Sequence, residues 1–299
     1  MKPSKRDFVS FESLSSADIA VLMDLATRQK TDPNTYRFAN ILGGKVIGMY
    51  FEKASMRTRL SFEAAINQLG GKTLYMGLEC GRLGERESIK DFANVASRFL
   101  DAFVLRTFSH ETIVELAKFS IKPVINALSD TQHPCQALGD LFTIREKLGG
   151  IEGVKVAYIG DCNNVARSLS ESLPKAGAKL RIACPKEYCF SDEYIKATGV
   201  TISHAPSEAV KDADVVYTDV WASMGQESEA EKRRVAFQPY QVNADLMRIS
   251  PNALFMHCLP AHRGEEVTDE VMDGPQSVVY DQAENRMHAQ RALLSMLLG

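Results

Sequence analysis

The chain is a succession of short apolar runs at strand length, separated by amphipathic stretches with helical spacing, and the succession occurs twice. Runs at 46–51, 73–76, 102–105 and 123–128 form a first series; runs at 154–159, 180–183, 200–203, 215–218, 253–256 and 278–280 form a second. Apolar runs without polar alternation fit strands buried on both faces, and strands that alternate with helices build parallel sheets. The intervening stretches read as helices. Ser15-x-x-Asp18 opens the first of them as a capping box, 60–69 closes on Gly70-Gly71, and 89–99 is amphipathic. The stretch 134–148 starts with proline and is followed by Gly149-Gly150, 165–175 is helical, and a last helix spans about 284–298. The pattern restarts at 149–153, so the expected architecture is α/β, with two doubly wound parallel-sheet domains. The first covers 1–148, with a C-terminal helix at about 284–299 packing back on it, and the second covers 149–283. The cleft between two such domains is the default place for an active site.

Composition removes several classes of function. Lys and Arg total 35 against 38 Asp and Glu, a net charge of −3, so there is no electrostatic footprint for nucleic acid. No apolar run approaches the ~18 residues of a membrane span. The first seven residues, Met1 to Asp7, are basic without an apolar stretch behind them, which is not the pattern of a secretory signal. The six cysteines form no C-x-x-C pair and no zinc-ligand spacing, as expected of reduced, mostly buried thiols in a cytoplasmic protein. The densest charge run, Glu227 to Arg234, mixes both signs and reads as a solvated face.

In open α/β sheets ligands bind outside the carboxyl ends of the strands, and the unusual polar residues gather there. Ser55-Met56-Arg57-Thr58-Arg59 follows the run at 46–51 and opens a helix. Two arginines in a first turn oppose the helix dipole by ~0.3–1 kcal/mol each, which a bound anion would offset. An exposed basic face would also account for them. Arg106 ends the run at 102–105. His133-Pro134-Cys135-Gln136 follows 123–128, and the extended residue before proline leaves His133 and Gln136 near a helix N-terminus. Both can donate to a carbonyl oxygen, or serve only as cap and surface groups. Gly160-Asp161-Cys162-Asn163-Asn164 stands where a dinucleotide fingerprint would lie. It has one glycine, and the next run ends in Cys184-Pro185 rather than a ribose-binding acid, which argues against a dinucleotide. Asparagines there can clamp a small zwitterion. Asp219 follows 215–218 and leads through Trp221, the sole tryptophan, to Ser223-Met224-Gly225, a segment with the character of a substrate-covering loop. His257-Cys258-Leu259-Pro260 ends 253–256, and Glu284-Asn285-Arg286 opens the last helix, placing Arg286 as a further cation at a helix N-terminus.

Taken together and in order, these motifs resemble the aspartate/ornithine carbamoyltransferase family over essentially the whole chain. Ser55–Arg59 is similar to its S-T-R-T-R carbamoyl-phosphate motif, and His133–Gln136 to its H-P-x-Q. Asp219-x-x-x-Ser223-Met224-Gly225 and His257-Cys258-Leu259-Pro260 resemble the amino-acid loop and H-C-L-P segment of the ornithine branch, where aspartate enzymes carry a P-L-P-type segment. Met56 departs from the usual threonine. The family uses the backbone N–H at that position, so the main-chain contact survives while a hydroxyl is lost.

The resemblance implies attack by the δ-amine of L-ornithine on carbamoyl phosphate, giving L-citrulline and phosphate. Ser55, Met56, Arg57, Thr58 and Arg106 are then expected at the phosphate. Arg57, Thr58, Arg106 and His133 face the carbonyl oxygen. Gln136 and the Leu259 carbonyl take the carbamoyl NH₂, with Arg286 and Cys258 nearby. Asn164, Asp219, Ser223 and Met224 bind ornithine, and Asp219 and Cys258 lie by its δ-amine. No cofactor or metal is implied, no nucleic acid and no membrane, and the subunits are expected to form a homotrimer or a higher multiple. Carbamoyl transfer to putrescine or an N-acylated ornithine is the close alternative, and a non-catalytic amino-acid-binding protein on the same scaffold the distant one.

Overall fold

The computed structural model describes residues 7–34, 39–222 and 227–299. The chain parts into two compact units, Met1–Phe142 with Glu284–Gly299, and Thr143–Ala283.

The first unit begins with α1 (Ser16–Thr31), where the Ser15 hydroxyl accepts from the Asp18 N–H and the Asp18 carboxylate takes the Ser15 N–H at 2.9 Å. This is the reciprocal box that S-x-x-D encodes. There follow β1 (Val46–Phe51), α2 (Met56–Gln68), β2 (Lys72–Met76), α3 (Ile89–Ala96), β3 (Ala102–Arg106), α4 (His110–Phe119), β4 (Val124–Leu128) and α5 (Pro134–Leu148). The sheet order is β2-β1-β3-β4, every neighbouring pair parallel. Its core gathers Tyr50, Phe103, Leu105 and Val124 with Ile113 and Leu116 of α4. The pattern of apolar runs leaves 110–119 unassigned because α4 buries only those two side chains.

The second unit contains β5 (Lys155–Ile159), α6 (Asn164–Lys175), β6 (Lys179–Ala183), α7 (Asp192–Thr198), β7 (Thr201–Ser203), α8 (Pro206–Val210) and β8 (Val215–Thr218). It continues through α9 (Ala230–Phe237), α10 (Ala244–Met247), β9 (Leu254–His257) and α11 (Asp269–Met272) into α12 (Val279–Leu298). The order β7-β6-β5-β8-β9 is again parallel throughout. The division between units falls at 142/143, inside α5, and at 283/284, inside α12; the sequence pattern places the first of these at 148/149 and the second at the same 283/284.

Both sheets reverse their winding once. In the first, β1 leads outward to β2 while β3 leads the other way to β4; in the second, β5 leads to β6 and β7 while β8 leads to β9. Such a reversal leaves a crevice between the two central strands at their carboxyl ends, where no crossover helix covers the sheet. The residues after β1 and β3, and those after β5 and β8, are thereby set apart as ligand-facing positions.

Four expectations are corrected. The β-rich run 278–280 is no strand: Ser277 makes a single bridge to Phe255, the Val278 N–H donates to the Phe255 carbonyl at 3.0 Å, and the chain then turns directly into α12. Arg286 consequently lies two turns inside that helix and not at its N-terminus. Trp221 is no part of a lid; it is 4% exposed in the second core, stacked on Phe237 at 6.2 Å. The run 227–234 is not wholly solvated, because Arg233 is buried and pairs with Asp161 at 2.8 Å. No helix among the described residues is long and apolar enough to cross a membrane.

Candidate active site

At the crevice of the first sheet, Ser55 caps α2: its hydroxyl accepts the Thr58 N–H at 3.4 Å and its carbonyl the Arg59 N–H at 3.1 Å. The amides of Met56 and Arg57 precede any intrahelical bonding and stand as the helix's open donors. The Met56 side chain points into solvent, so its departure from threonine leaves the backbone geometry alone. The two first-turn arginines have different fates. Arg59 pairs with Glu63 at 2.9 Å and lies 3.9 Å over the Tyr75 ring. Among the described residues, no carboxylate or hydrogen-bond acceptor meets the half-buried Arg57 guanidinium. A cation left in this way against a helix dipole is a site for an anion.

Three donors converge on the Thr58 hydroxyl oxygen: Ser55 Oγ at 3.0 Å, Arg286 at 3.0 Å and Arg106 at 3.5 Å. The two close ones use both lone pairs of the oxygen, and no described protein atom accepts the Thr58 proton in return. That proton is free for a ligand and is polarised by the guanidiniums behind it. Arg106 reaches this point because the β3–β4 register shifts between Leu105 and Arg106, an irregularity that re-aims a side chain at a strand end. Arg286 arrives from α12, whose close approach to α5 needs a glycine. A Cβ on Gly139 would come within 2.9 Å of the Arg286 side chain and 3.1 Å of its Cα.

His133 and Gln136 complete the first group. The His133 carbonyl starts α5 by accepting the Gln136 and Ala137 N–H groups, and both side chains are buried. Burial holds the His133 imidazole well below its usual pKa, and the Arg286 and Arg106 charges push it lower still. The ring is therefore neutral near pH 7, a donor at one nitrogen and an acceptor at the other. Gln136 donates to Asp140 at 2.8 Å, while its buried carbonyl oxygen has no partner among the described residues, an acceptor set among donors. Cys135 donates to the Asn126 carbonyl, and burial pushes its thiol up to about 12, which makes it inert.

At the crevice of the second sheet, Asp219 is the hub. Its Oδ1 accepts from the Cys258 thiol at 2.9 Å and the Val220 N–H at 2.8 Å, and its Oδ2 accepts from the Asn163 amide at 2.8 Å. Asn163 also caps α6, its Oδ1 taking the Val165 and Ala166 N–H groups, with the Tyr158 hydroxyl at 3.3 Å. The expected Asn164 is the first residue of α6 and half-buried; Asn163 is the asparagine that meets Asp219. Its signature was an asparagine just ahead of a helix. Ser223 and Met224 lie outside the described residues.

Leu259 is held in a left-handed conformation with φ of +58°, a strain of roughly 1–3 kcal/mol for a side chain of this type. Its N–H donates to His257 Nδ1 at 2.8 Å, which fixes the proton on Nε2, 3.1 Å from Glu266. The His257 N–H in turn donates to Gln282 at 2.9 Å. His257 is thus a positioning residue that sequence reasoning passed over. Its ring nitrogens are both engaged, so although Asp219, His257 and Cys258 lie close enough to share a metal ion, the imidazole is not open to one.

An α/β chain with two parallel sheets, a cationic helix N-terminus at one winding reversal and a carboxylate–amide–thiol hub at the other, belongs to the class that binds an anion and a small polar co-substrate. Residues 6–146 match the model of the aspartate/ornithine carbamoyltransferase carbamoyl-P binding domain, and residues 152–297 that of the Asp/Orn binding domain. The chain belongs to the aspartate/ornithine carbamoyltransferase family. It is 48% identical to an anabolic ornithine carbamoyltransferase of Pyrococcus furiosus over 98% of this chain and 96% of that protein. With an ornithine carbamoyltransferase of Bacillus subtilis it is 49% identical over 98% of this chain and 94% of that protein. The solved Pyrococcus furiosus ornithine carbamoyltransferase superposes with a TM-score of 0.93 at 47% identity, covering 100% of this chain and 99% of that one.

Proposed function

We propose that the chain transfers the carbamoyl group of carbamoyl phosphate to the δ-amine of L-ornithine, giving L-citrulline and phosphate. The observation that carries the reading is the Thr58 hydroxyl, whose oxygen accepts from Arg286 and Ser55 while its proton remains available. Carbamoyl phosphate is held by the first unit: its phosphate by the Ser55–Thr58 backbone, Arg57 and Arg106. Thr58, His133, Arg57 and Arg106 donate to the carbonyl oxygen as it gains charge, and a donor at that position contributes roughly 2.7–4 kcal/mol to the barrier reduction. The Gln136 carbonyl oxygen and the backbone carbonyl of Leu259 accept from the carbamoyl NH₂, with Arg286 and Cys258 beside them. The neutral His133 suits this role, since it donates without protonating the substrate.

Ornithine is held by the second unit, its α-amino and α-carboxylate groups by Asn164, Asp219, Ser223 and Met224, and its δ-amine near Asp219 and Cys258. The amine, with a pKa of ~10.4 in water, attacks only after losing its proton. The nitrogen–carbon bond forms as the carbon–oxygen bond to phosphate breaks, and the leaving phosphate takes up the proton released from nitrogen. We further propose a homotrimer or a multiple of it. Met56 and Leu60 on one face of α2, with Leu74 on the edge strand β2, expose apolar surface beside the phosphate group, as an interface would. Citrulline formation with L-ornithine, putrescine, N-acetylornithine and L-aspartate as competing acceptors tests the assignment. Only ornithine should support turnover at low concentration, and preference for putrescine would overturn it. Light scattering tests the assembly.

A further inference from the structure

Three of the six cysteines, scattered over 28 positions with no motif between them, come together in the second unit. Cys162 follows β5, Cys184 follows β6, and Cys189 follows the single turn Lys186–Tyr188. Their sulfurs all lie within 4.8 Å of one another, with Cys162 donating to Cys184 at 3.5 Å. A metal at the centre of three thiolates, with bonds of about 2.3 Å, needs sulfurs roughly 3.8–4.0 Å apart, close to what the folded chain already provides. Cys184 is fully buried while Cys162 and Cys189 are half-buried, so the set has a fixed floor and an open entrance. Among the described residues no nitrogen or carboxylate ligand joins the three sulfurs, and an all-sulfur donor set selects soft ions over Mg²⁺ or Ca²⁺.

We propose that Cys162, Cys184 and Cys189 form a binding site for a soft d¹⁰ metal ion. Cu(I) fits it best, because three sulfurs satisfy a monovalent copper ion whereas Zn(II) takes a fourth ligand. Binding forms three sulfur–metal bonds and releases the thiol protons to solvent, so affinity rises with pH. The backbone is prepared for it: the Cys162 N–H donates to the Tyr188 carbonyl at 3.3 Å and the Cys189 N–H to the Lys186 carbonyl, which ties the two entrance cysteines to one turn. The site shares no residue with the Asp219–Cys258 pair.

The reduced, full-length chain under argon tests this, with Cu(I) titrated against a chromophoric chelator and Cd(II) as a probe whose thiolate charge-transfer absorption counts sulfur ligands. One Cu(I) per chain and a Cd(II) band of three-thiolate intensity are expected. Cys162→Ser and Cys189→Ser, each checked for fold by circular dichroism, should each weaken Cu(I) binding at least about 100-fold, the upper end of what loss of a mere supporting group costs. Cys258→Ser and Cys80→Ser should retain it. Binding that survives the Cys162→Ser/Cys189→Ser double variant, that vanishes in Cys258→Ser, or that fails to compete with the chelator overturns the proposal. None of these readouts depends on carbamoyl transfer.

Discussion

Replacing Thr58 by valine keeps the volume and branching of the side chain and removes one hydroxyl. That group has two separable tasks. Its oxygen accepts from Arg286 and Ser55 at 3.0 Å and from Arg106 at 3.5 Å, and its proton is left for the substrate. Losing the acceptor costs stability, about 1–3 kcal/mol for a buried guanidinium deprived of one hydrogen bond. Losing the proton costs rate. If it meets the carbonyl oxygen in the transition state, the missing donor is worth about 2.7–4 kcal/mol, which at 1.36 kcal/mol per decade is roughly 10²–10³-fold in kcat/KM. Thr58→Ser separates the two from packing, because it keeps the hydroxyl and gives up one methyl, about 0.8 kcal/mol of burial. Steady-state citrulline formation at saturating and limiting carbamoyl phosphate, with urea unfolding of each variant, measures both. The serine variant should stay within about tenfold of the parent, a loss under 1.4 kcal/mol. A valine variant with kcat/KM within a few-fold of the parent, or a serine variant as impaired as valine, would refute the donor role.

Arg57→Ala should lower kcat/KM by at least about 10³-fold, because one guanidinium serves both phosphate and developing oxyanion; near-normal turnover and phosphate affinity in a binding assay would dispose of the anion site. His133 is held neutral in the fold, well below 6.5, so below that pH the unfolded chain takes up a proton that the folded one refuses. Stability should therefore fall as pH drops through that window, by at most about 1.4 kcal/mol per pH unit, and His133→Gln should remove this part of the slope in urea titrations; equal slopes would count against it. Cys258→Ser should raise the KM for ornithine and lower kcat while the chain stays folded, since the thiol donates to Asp219 and a hydroxyl is nearly isosteric; unchanged kinetics would return Cys258 to an inert thiol.

What the sequence disclosed and what it withheld divide along one line. Features made by neighbours in the chain were legible: the Ser15–Asp18 box, the strands β1 and β8 at the bounds read from their apolar runs, and the Ser55 cap with arginine behind it. Features decided by distant partners were not. Val278-Val279-Tyr280 has strand composition, yet pairing stops at the single bridge of Ser277 to Phe255 just before it, and the chain turns into α12. Arg233 stands in a run of mixed charges, and Asp161, 72 positions away, together with the Trp221 carbonyl takes it inside. Trp221 sits in a polar segment, but Phe237 gives it a core. The three converging cysteines have no spacing that betrays them, since they are brought together by strand order.

That same dependence on strand order explains why the functional residues cluster as they do. β1 and β3 end 55 positions apart in the chain, at Phe51 and Arg106, yet they pair directly and in register, Phe51 opposite Arg106. Because the winding reverses between them, no crossover segment occupies the space above, and the cap of α2 and the strand-end arginine face one point. The second sheet repeats the device with β5 and β8, where Ile159 lies opposite Thr218 and the following Asn163 and Asp219 meet at 2.8 Å. Each hub then restricts what its neighbours can do. Thr58 turns two guanidiniums into the polarising background of one proton, and Asp219 takes an asparagine and a thiol on its two oxygens. A substitution at either hub should therefore disturb more than its own contact. Pairs such as Thr58 with Arg286, or Asp219 with Cys258, should depart from additivity by 0.5–3 kcal/mol in double-mutant cycles, as groups sharing one network do.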